Sequence, residues 1–153
     1  MTSKKEIRFW GKNGVYFEFT NFYIRPVKID DNIWLSTEHY YQINKFTDPE
    51  IIKEMKNVRL PKDIYNLANV KYKSKIRKDW SQVRLDIMRK AIYEKFNQNS
   101  DLKKLLLSTN NAILIENSPY DSFWGVGGFG NKYIDGTNNW LGKILMETRA
   151  KFT

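Results

Sequence analysis

The sequence predicts an α+β fold in which helices dominate. Two patterns predict it. Short aromatic or β-branched runs separated by Gly, Asn and Asp turns fill the N-terminal third, and apolar residues recur at spacings of three and four through most of the remainder. At 153 residues the chain suits a single domain, 1–153, with enough length to bury a core unaided. No internal repeat, low-complexity tract or linker interrupts it.

The elements follow in order. Ile7 to Trp10, Val15 to Phe19 and Ile33 to Leu35 read as strands, with turns at Gly11 to Gly14 and Asp30 to Asn32. Ser36 or Thr37 can cap a helix running to about Phe46, and Glu38 falls early in it, where negative charge suits the helix dipole. Pro49 and Pro61 can each open a further helix. The longest helix is expected from about Ser74 to Asn97, where Ile76, Trp80, Val83, Ile87 and Ala91 repeat and Leu85, Met88, Ile92 and Phe96 widen the apolar face. A stripe that wide predicts a helix largely enclosed by its neighbours. Asp101 to Leu107 is a short helix and Ala112 to Glu116 a short strand. Asn138 or Asn139 can cap a last helix carrying Trp140, Leu141, Ile144, Leu145 and Phe152.

Composition excludes several chemistries. The chain has no cysteine, which removes disulfides, thiolate nucleophiles and cysteine metal sites. Its single histidine, His39, makes an imidazole-based metal site improbable, because such sites use two or three. No secretory signal is expected at Met1 to Glu6 and no stretch approaches a membrane span, so a cytoplasmic protein without membrane contact is expected. Lys and Arg number 26 against 17 Asp and Glu, a net charge of +9. That excess reads either as solubility or as attraction to phosphate on a nucleotide or nucleic acid.

Three segments can carry chemistry. In Ser36 to Phe46, a helix would place Glu38, Tyr41 or Gln42, and Lys45 on one face, a polar stripe flanked by aromatic rings. The same pattern on an arbitrary helix would be a solvated face. His39 reads first as a hydrogen-bonded core residue and second as a base. In Glu116 to Gly130, an acid, Asp121, an indole, Trp124, and glycines beginning at Gly125 form a loop whose backbone can approach a ligand or simply flex. Gly125, Gly127 and Gly130 match the spacing of a dinucleotide fingerprint, but neither the strand directly before it nor the helix opening from it is present in the pattern. In Phe19 to Phe22, Asn21 would bond a sugar or base edge, or shape a turn. Arg77 and Arg84 would hold phosphate, or pair with acids such as Asp79 and Asp86.

Taken together these segments resemble the NADAR family, which includes the YbiA-like proteins. The resemblance rests on Phe19-Thr-Asn-Phe22, on Trp34 to Gln42 with Lys45-Phe46, and on Asp79-Trp80 with Arg84 and Met88. It continues through Lys95-Phe96, Leu106 to Thr109, Leu114-Ile-Glu116, Asp121 with Trp124-Gly125, and Asn139 to Gly142 with Leu145-Met146 and Arg149. It implies a compact multihelical YbiA-like fold with a buried central helix and a few short N-terminal strands. It implies N-glycosidase activity that needs no metal or cofactor. Two substrate branches follow: ADP-ribosylated guanine in nucleic acid or nucleotides, and phosphorylated ribosylaminopyrimidine intermediates of riboflavin synthesis. Two departures stand out. Relatives often carry a Gly-Arg pair where this chain has Ala68-Asn69, leaving Lys71, Lys73 and Arg77 as nearby cations, and Gly127 to Thr137 is longer than the family loop.

Cleaving a ribose–nitrogen bond builds positive charge on the sugar and requires a proton for the leaving amine. The resemblance suggests Lys45 as a nucleophile that forms a Schiff base with the opened sugar, which requires desolvation to favour the neutral amine. Glu38 or Asp121 would carry the proton. Trp124, with Phe22 or Tyr41, would stack on the base; Asn21 and Gln42 would fix hydroxyl or base edges; Gly125 would admit backbone close to the substrate; Arg77 and Arg84 would hold phosphate. For the ADP-ribosyl branch, an ADP-ribosyltransferase toxin is a counterpart the sequence leaves open, as it does the oligomeric state. A non-catalytic module binding ADP-ribose or NAD is a third reading, against which the full set of Glu38, Lys45 and Asp121 argues. A plain DNA-binding domain finds no support in a helix-turn-helix cadence or zinc ligands.

Overall fold

A computed structural model describes residues 4–153. Its elements in chain order are β1 (Glu6–Phe9), β2 (Val27–Ile29), β3 (Asn32–Trp34), α1 (Thr37–Ile43), α2 (Pro49–Lys56), α3 (Pro61–Asn66), α4 (Trp80–Gln98), α5 (Ser100–Leu107), β4 (Ile113–Glu116) and α6 (Trp140–Lys151). They gather into two units, one formed by the residues up to Thr20 with Asn99–Thr153, the other by Asn21–Gln98. Helices dominate a small strand set, the α+β class expected. Among the described residues no helix is long and apolar enough to cross a membrane.

In the first unit β1 pairs with β4 in parallel, Ile7 opposite Leu114 and Phe9 opposite Glu116. β1 alternates charged and apolar residues while β4 is apolar up to Glu116, and Ile7, Phe9, Leu114 and Ile115 are buried. Helix α6 packs on β4 through Leu141, Ile144 and Leu145, all fully buried. The strand expected at Val15 to Phe19 is instead a 3-10 turn over Phe17–Phe19. Tyr16 adopts a left-handed backbone (φ 58°), which ends extension before the run can pair, and its ring stacks on Phe19 at 4.9 Å.

In the second unit β2 and β3 form an antiparallel hairpin, Val27 opposite Trp34. Asp30 and Asp31 both sit at positive φ (53° and 65°), the geometry of a type I′ turn. The turn residues were legible; the strand Val27–Ile29 before them was not, because three residues after a proline carry too little pattern. The hairpin is pinned at its outer strand by α4, since Lys28 N donates to Gln98 Oε1 at 2.9 Å and Gln98 Nε2 donates to Lys28 O at 2.7 Å.

Helix α1 is the buried central helix: every residue from Thr37 to Ile43 is buried. Tyr40 and Ile43 join Val27, Ile29, Trp34, Phe46, Ile51, Met55, Ile64, Ala68 and Ala91 in one apolar core. The long helix α4 is less enclosed than its stripe suggested. It buries Met88, Ala91, Ile92, Lys95 and Phe96 but leaves Ser81, Gln82, Asp86 and Lys90 exposed. It also starts six residues late. Lys73–Lys75 form a 3-10 turn and Ile76 is extended (ψ 135°), a break that no Pro or Gly announces.

Candidate active site

The site is built at the first turn of α1 and just past its last. Ser36 Oγ accepts the His39 amide at 3.2 Å and so caps the helix, as a serine in that place should. Asn21 secures the same end: its carbonyl accepts Glu38 N at 3.2 Å and its Oδ1 accepts Thr37 Oγ1 at 2.7 Å. The Asn21 amide nitrogen lies 3.5 Å from Met88 Sδ, so the whole side chain is spent on holding α1 against α4.

His39 is a core residue. Its Nε2 donates to Val58 O at 3.1 Å, which leaves Nδ1 to accept from Ser36 Oγ at 2.7 Å. Burial pushes its pKa below the ordinary value, and hydrogen bonds to the Val58 and Arg59 carbonyls oppose the shift only partly. A histidine held neutral in the fold stabilises it above the unfolded value of about 6.5, and that contribution is lost as pH falls toward the folded value. The urea midpoint should therefore drop between about pH 7 and pH 5.5, and His39→Gln should flatten that slope. The paired carboxylates of Asp30, Glu54, Asp79 and Asp135 are all held below their ordinary range, so their contribution is lost at lower pH than this.

Along α1 runs a chain of hydrogen bonds from Glu38 toward Lys45. Gln42 Nε2 donates to Glu38 Oε2 at 2.9 Å. Asn69 Nδ2 approaches Gln42 Oε1 at 3.4 Å, and Lys45 Nζ donates to Asn69 Oδ1 at 2.8 Å. The acid and the amine are thus joined through two amides. Glu38, Gln42 and Lys45 are 5%, 2% and 7% exposed, so the series runs through a largely desolvated face. The ammonium nitrogen sits 5.4 Å from the centre of the Tyr41 ring and 5.7 Å from that of Trp80, and these two rings meet edge to face at 5.0 Å. Helix α1 ends at Ile43, short of the Phe46 expected, and Lys45 lies in the turn beyond. The Arg77 amide fixes that turn by donating to Lys45 O at 2.8 Å.

The structure therefore brings together Glu38, Tyr41, Gln42 and Lys45, with Asn21 supporting them from behind. Phe22 is 41% exposed. Arg77 is forked onto Asp79 at 2.6 and 2.9 Å, the ion pair weighed as its alternative role, and that carboxylate holds the guanidinium pKa up. Arg84 lies part-buried on α4.

Asp121, Trp124 and Gly125 belong to the other unit, where local geometry accounts for them. Asp121 Oδ1 accepts the Phe123 and Trp124 amides, each at 2.8 Å, and its carbonyl accepts Gly127 N at 2.9 Å, an Asx-type turn. Trp124 is buried edge-on against Phe123 at 4.8 Å. A Cβ on Gly125 would come within 2.8 Å of Glu116 O and Ser118 Cβ, so the glycine lets the loop close on the end of β4.

Sequence reasoning missed Asn69 and Trp80 as site residues. Asn69 sits on a π-helical turn, Leu67–Lys71, closed by Tyr72 N donating to Leu67 O at 2.8 Å. Such turns gather at functional sites but have no spacing signature. The one available signal was the Ala68-Asn69 departure itself. Trp80 was absorbed into the apolar stripe of its helix.

Residues 8–153 match the NADAR domain. The chain belongs to the NADAR family. It is 38% identical over 145 residues to the N-glycosidase YbiA of Shigella flexneri serotype 5b (strain 8401), covering 95% of this chain and 87% of that protein. The NMR structure of the Escherichia coli protein YbiA superposes with a TM-score of 0.86 at 35% identity, covering 99% of this chain and 87% of that one. The riboflavin biosynthesis protein PYRR, chloroplastic, of Zea mays is 31% identical over 159 residues, covering 95% of this chain and 25% of that longer protein. The NADAR chain is accordingly an enzyme, a glycosidase acting on N-glycosyl bonds.

Proposed function

We propose that the chain removes ADP-ribose from ADP-ribosylated guanine, with Lys45 as nucleophile and Glu38 as proton carrier. The observation that carries this reading is the desolvated series from Glu38 through Gln42 and Asn69 to the Lys45 amine, beside two aromatic faces. In the first step the Lys45 nitrogen bonds to the anomeric carbon while the bond from that carbon to the guanine nitrogen breaks. The bonding pair leaves with the base, and Glu38, ionised at rest, takes up the proton that the bonded Lys45 nitrogen gives up and passes it to the departing base. Opening of the sugar ring gives an iminium on Lys45. Water adds to it, ADP-ribose departs, and the amine is restored. Glu38 is chosen over Asp121 because the Asp121 carboxylate already accepts two amides of its own loop.

A polynucleotide substrate is supported by the net charge of +9 and by an exposed ring cluster in the first unit. Trp10 meets Tyr120 at 6.5 Å and Phe129 at 5.5 Å, with Tyr120 87% and Phe129 63% exposed. Bases of a single strand stack on rings of that kind. Asn117 ties the strand to the loop, accepting Gly130 N at 2.8 Å and Arg8 Nη1 at 3.0 Å. The enzyme that places the mark, an ADP-ribosyltransferase, would be the counterpart in the cell. The family match runs through both units, which supports reading 1–153 as one functional domain.

The second reading is cleavage of a phosphorylated ribosylaminopyrimidine, favoured by the name of the maize relative. Incubation with an ADP-ribosylated oligonucleotide, with ADP-ribosylated guanosine and with the ribosylaminopyrimidine phosphate separates the two. Release of ADP-ribose from either of the first two, with borohydride fixing the sugar to Lys45, is the expected result. Turnover of the pyrimidine alone would transfer the chain to the second reading, and release without any adduct at Lys45 would remove the covalent mechanism.

A further inference from the structure

We infer that Asn69 is a positioning residue for the Lys45 amine, an assignment that rests on Lys45 being the reacting group. The argument is one of polarity. An Asn side chain can face either way, but the Asn69 amide nitrogen also lies 2.9 Å from the Tyr65 carbonyl, which can only accept. That contact turns Nδ2 toward Tyr65 and leaves Oδ1 toward Lys45. Gln42 is oriented in the same manner at its far end, because an ionised Glu38 can only accept from Gln42 Nε2. Its Oε1 then faces the Asn69 amide. The polarity of the whole series is set at two fixed acceptors, a main-chain carbonyl and a carboxylate.

The consequence is chemical. With one N–H held on Asn69 Oδ1, the lone pair of a neutral Lys45 amine is confined to the directions left over. The reversed amide would instead offer an N–H donor to that lone pair and mask the nucleophile. Asn69 also presents a neutral acceptor at 2.8 Å, so that its contact supports the amine without the full charge that would favour the ammonium. Placement suits the task. Ala68 is fully buried in the core, and Asn69 follows it on the π-helical turn, within hydrogen-bond distance of Lys45.

Two substitutions test this on ADP-ribosylated guanosine. Asn69→Ala should lower kcat by about tenfold to a hundredfold with KM little changed, since a misplaced nucleophile costs rate rather than binding. Asn69→Asp keeps the volume but sets a carboxylate beside Lys45. It should move the rising limb of the pH–rate profile upward by about one unit or more. Far-UV circular dichroism and the melting temperature report folding for both, and Asn69→Gln should recover part of the rate by restoring an acceptor. A wild-type kcat in Asn69→Ala, or an unmoved pH profile in an active Asn69→Asp, overturns the assignment. Borohydride trapping keeps the two ideas apart. If wild type forms no Lys45 adduct, the nucleophile reading fails; if wild type and Asn69→Ala trap equally fast, only the role of Asn69 fails.

Discussion

Lys45→Ala should lower turnover by at least about 10³-fold while the protein stays folded, because the reaction then lacks the atom that bonds to the sugar. The residue is only 7% exposed, and its ammonium lies beside the Tyr41 and Trp80 rings. Truncation therefore removes packing as well as chemistry. Lys45→Met fills nearly the same space without a nucleophile and isolates the chemical loss; its kcat should be as low as that of Lys45→Ala, with a melting temperature closer to wild type. Glu38→Gln should cost about 10²–10⁴-fold, the range of a positioned acid or base. It also releases the constraint on Gln42, since a neutral amide at 38 can donate as well as accept. Activity near wild type in Lys45→Met would end the covalent mechanism, whatever Glu38→Gln shows.

How far the sequence reached can be judged at this same site. Glu38 and Lys45 were legible together because seven residues make two helical turns, and the aromatic flanks marked the stripe as more than a solvated face. The two side chains end on one hydrogen-bond series although α1 stops at Ile43, because a turn held by Arg77 N keeps Lys45 within reach of it. Asn69 and Trp80 were out of reach for a physical reason: each arrives from another element, Asn69 on a π-turn that leaves no periodic mark. The same limit governs the fold. Ser36, Pro49 and Pro61 act through local rules and mark helix starts correctly. The run at Val15 to Phe19 has the composition of a strand, but the backbone turns at Tyr16 and the composition loses. In the sequence Asn21 stands out for its hydrogen-bonding amide and Asp121 as an acid. Both side chains bond to the protein itself, Asn21 to the start of α1 and Asp121 to its own loop.

Gly142→Ala should destabilise the protein by about 3 kcal/mol or more, although helix propensity alone predicts the opposite sign. Gly142 lies inside α6, where replacing glycine by alanine ordinarily gains about 1 kcal/mol. Here the new Cβ would stand 2.1 Å from Leu114 O and 2.5 Å from both side-chain polar atoms of Asn139. The first of these is main chain in β4 and cannot swing aside. The second is a buried amide with no slack: Asn139 Oδ1 accepts Glu116 N at 2.8 Å and its Nδ2 donates to Leu114 O at 2.9 Å. The sequence offers Asn138 or Asn139 as the cap of α6; Asn139 holds that position, but with a left-handed backbone (φ 56°) and no side-chain cap bond, its side chain clamping the helix start to the strand. Admitting a methyl group would push α6 off β4 or break both bonds of the clamp, and either outweighs the propensity gain. Gly136→Ala is the control. Its glycine, unlike Gly142, has positive φ (82°), but nothing lies within 4 Å, so only backbone strain of about 1–2 kcal/mol is expected. Urea unfolding of both variants decides the matter: a Gly142→Ala midpoint at or above that of Gly136→Ala would mean that the approach of α6 to β4 through this glycine is not what holds them together.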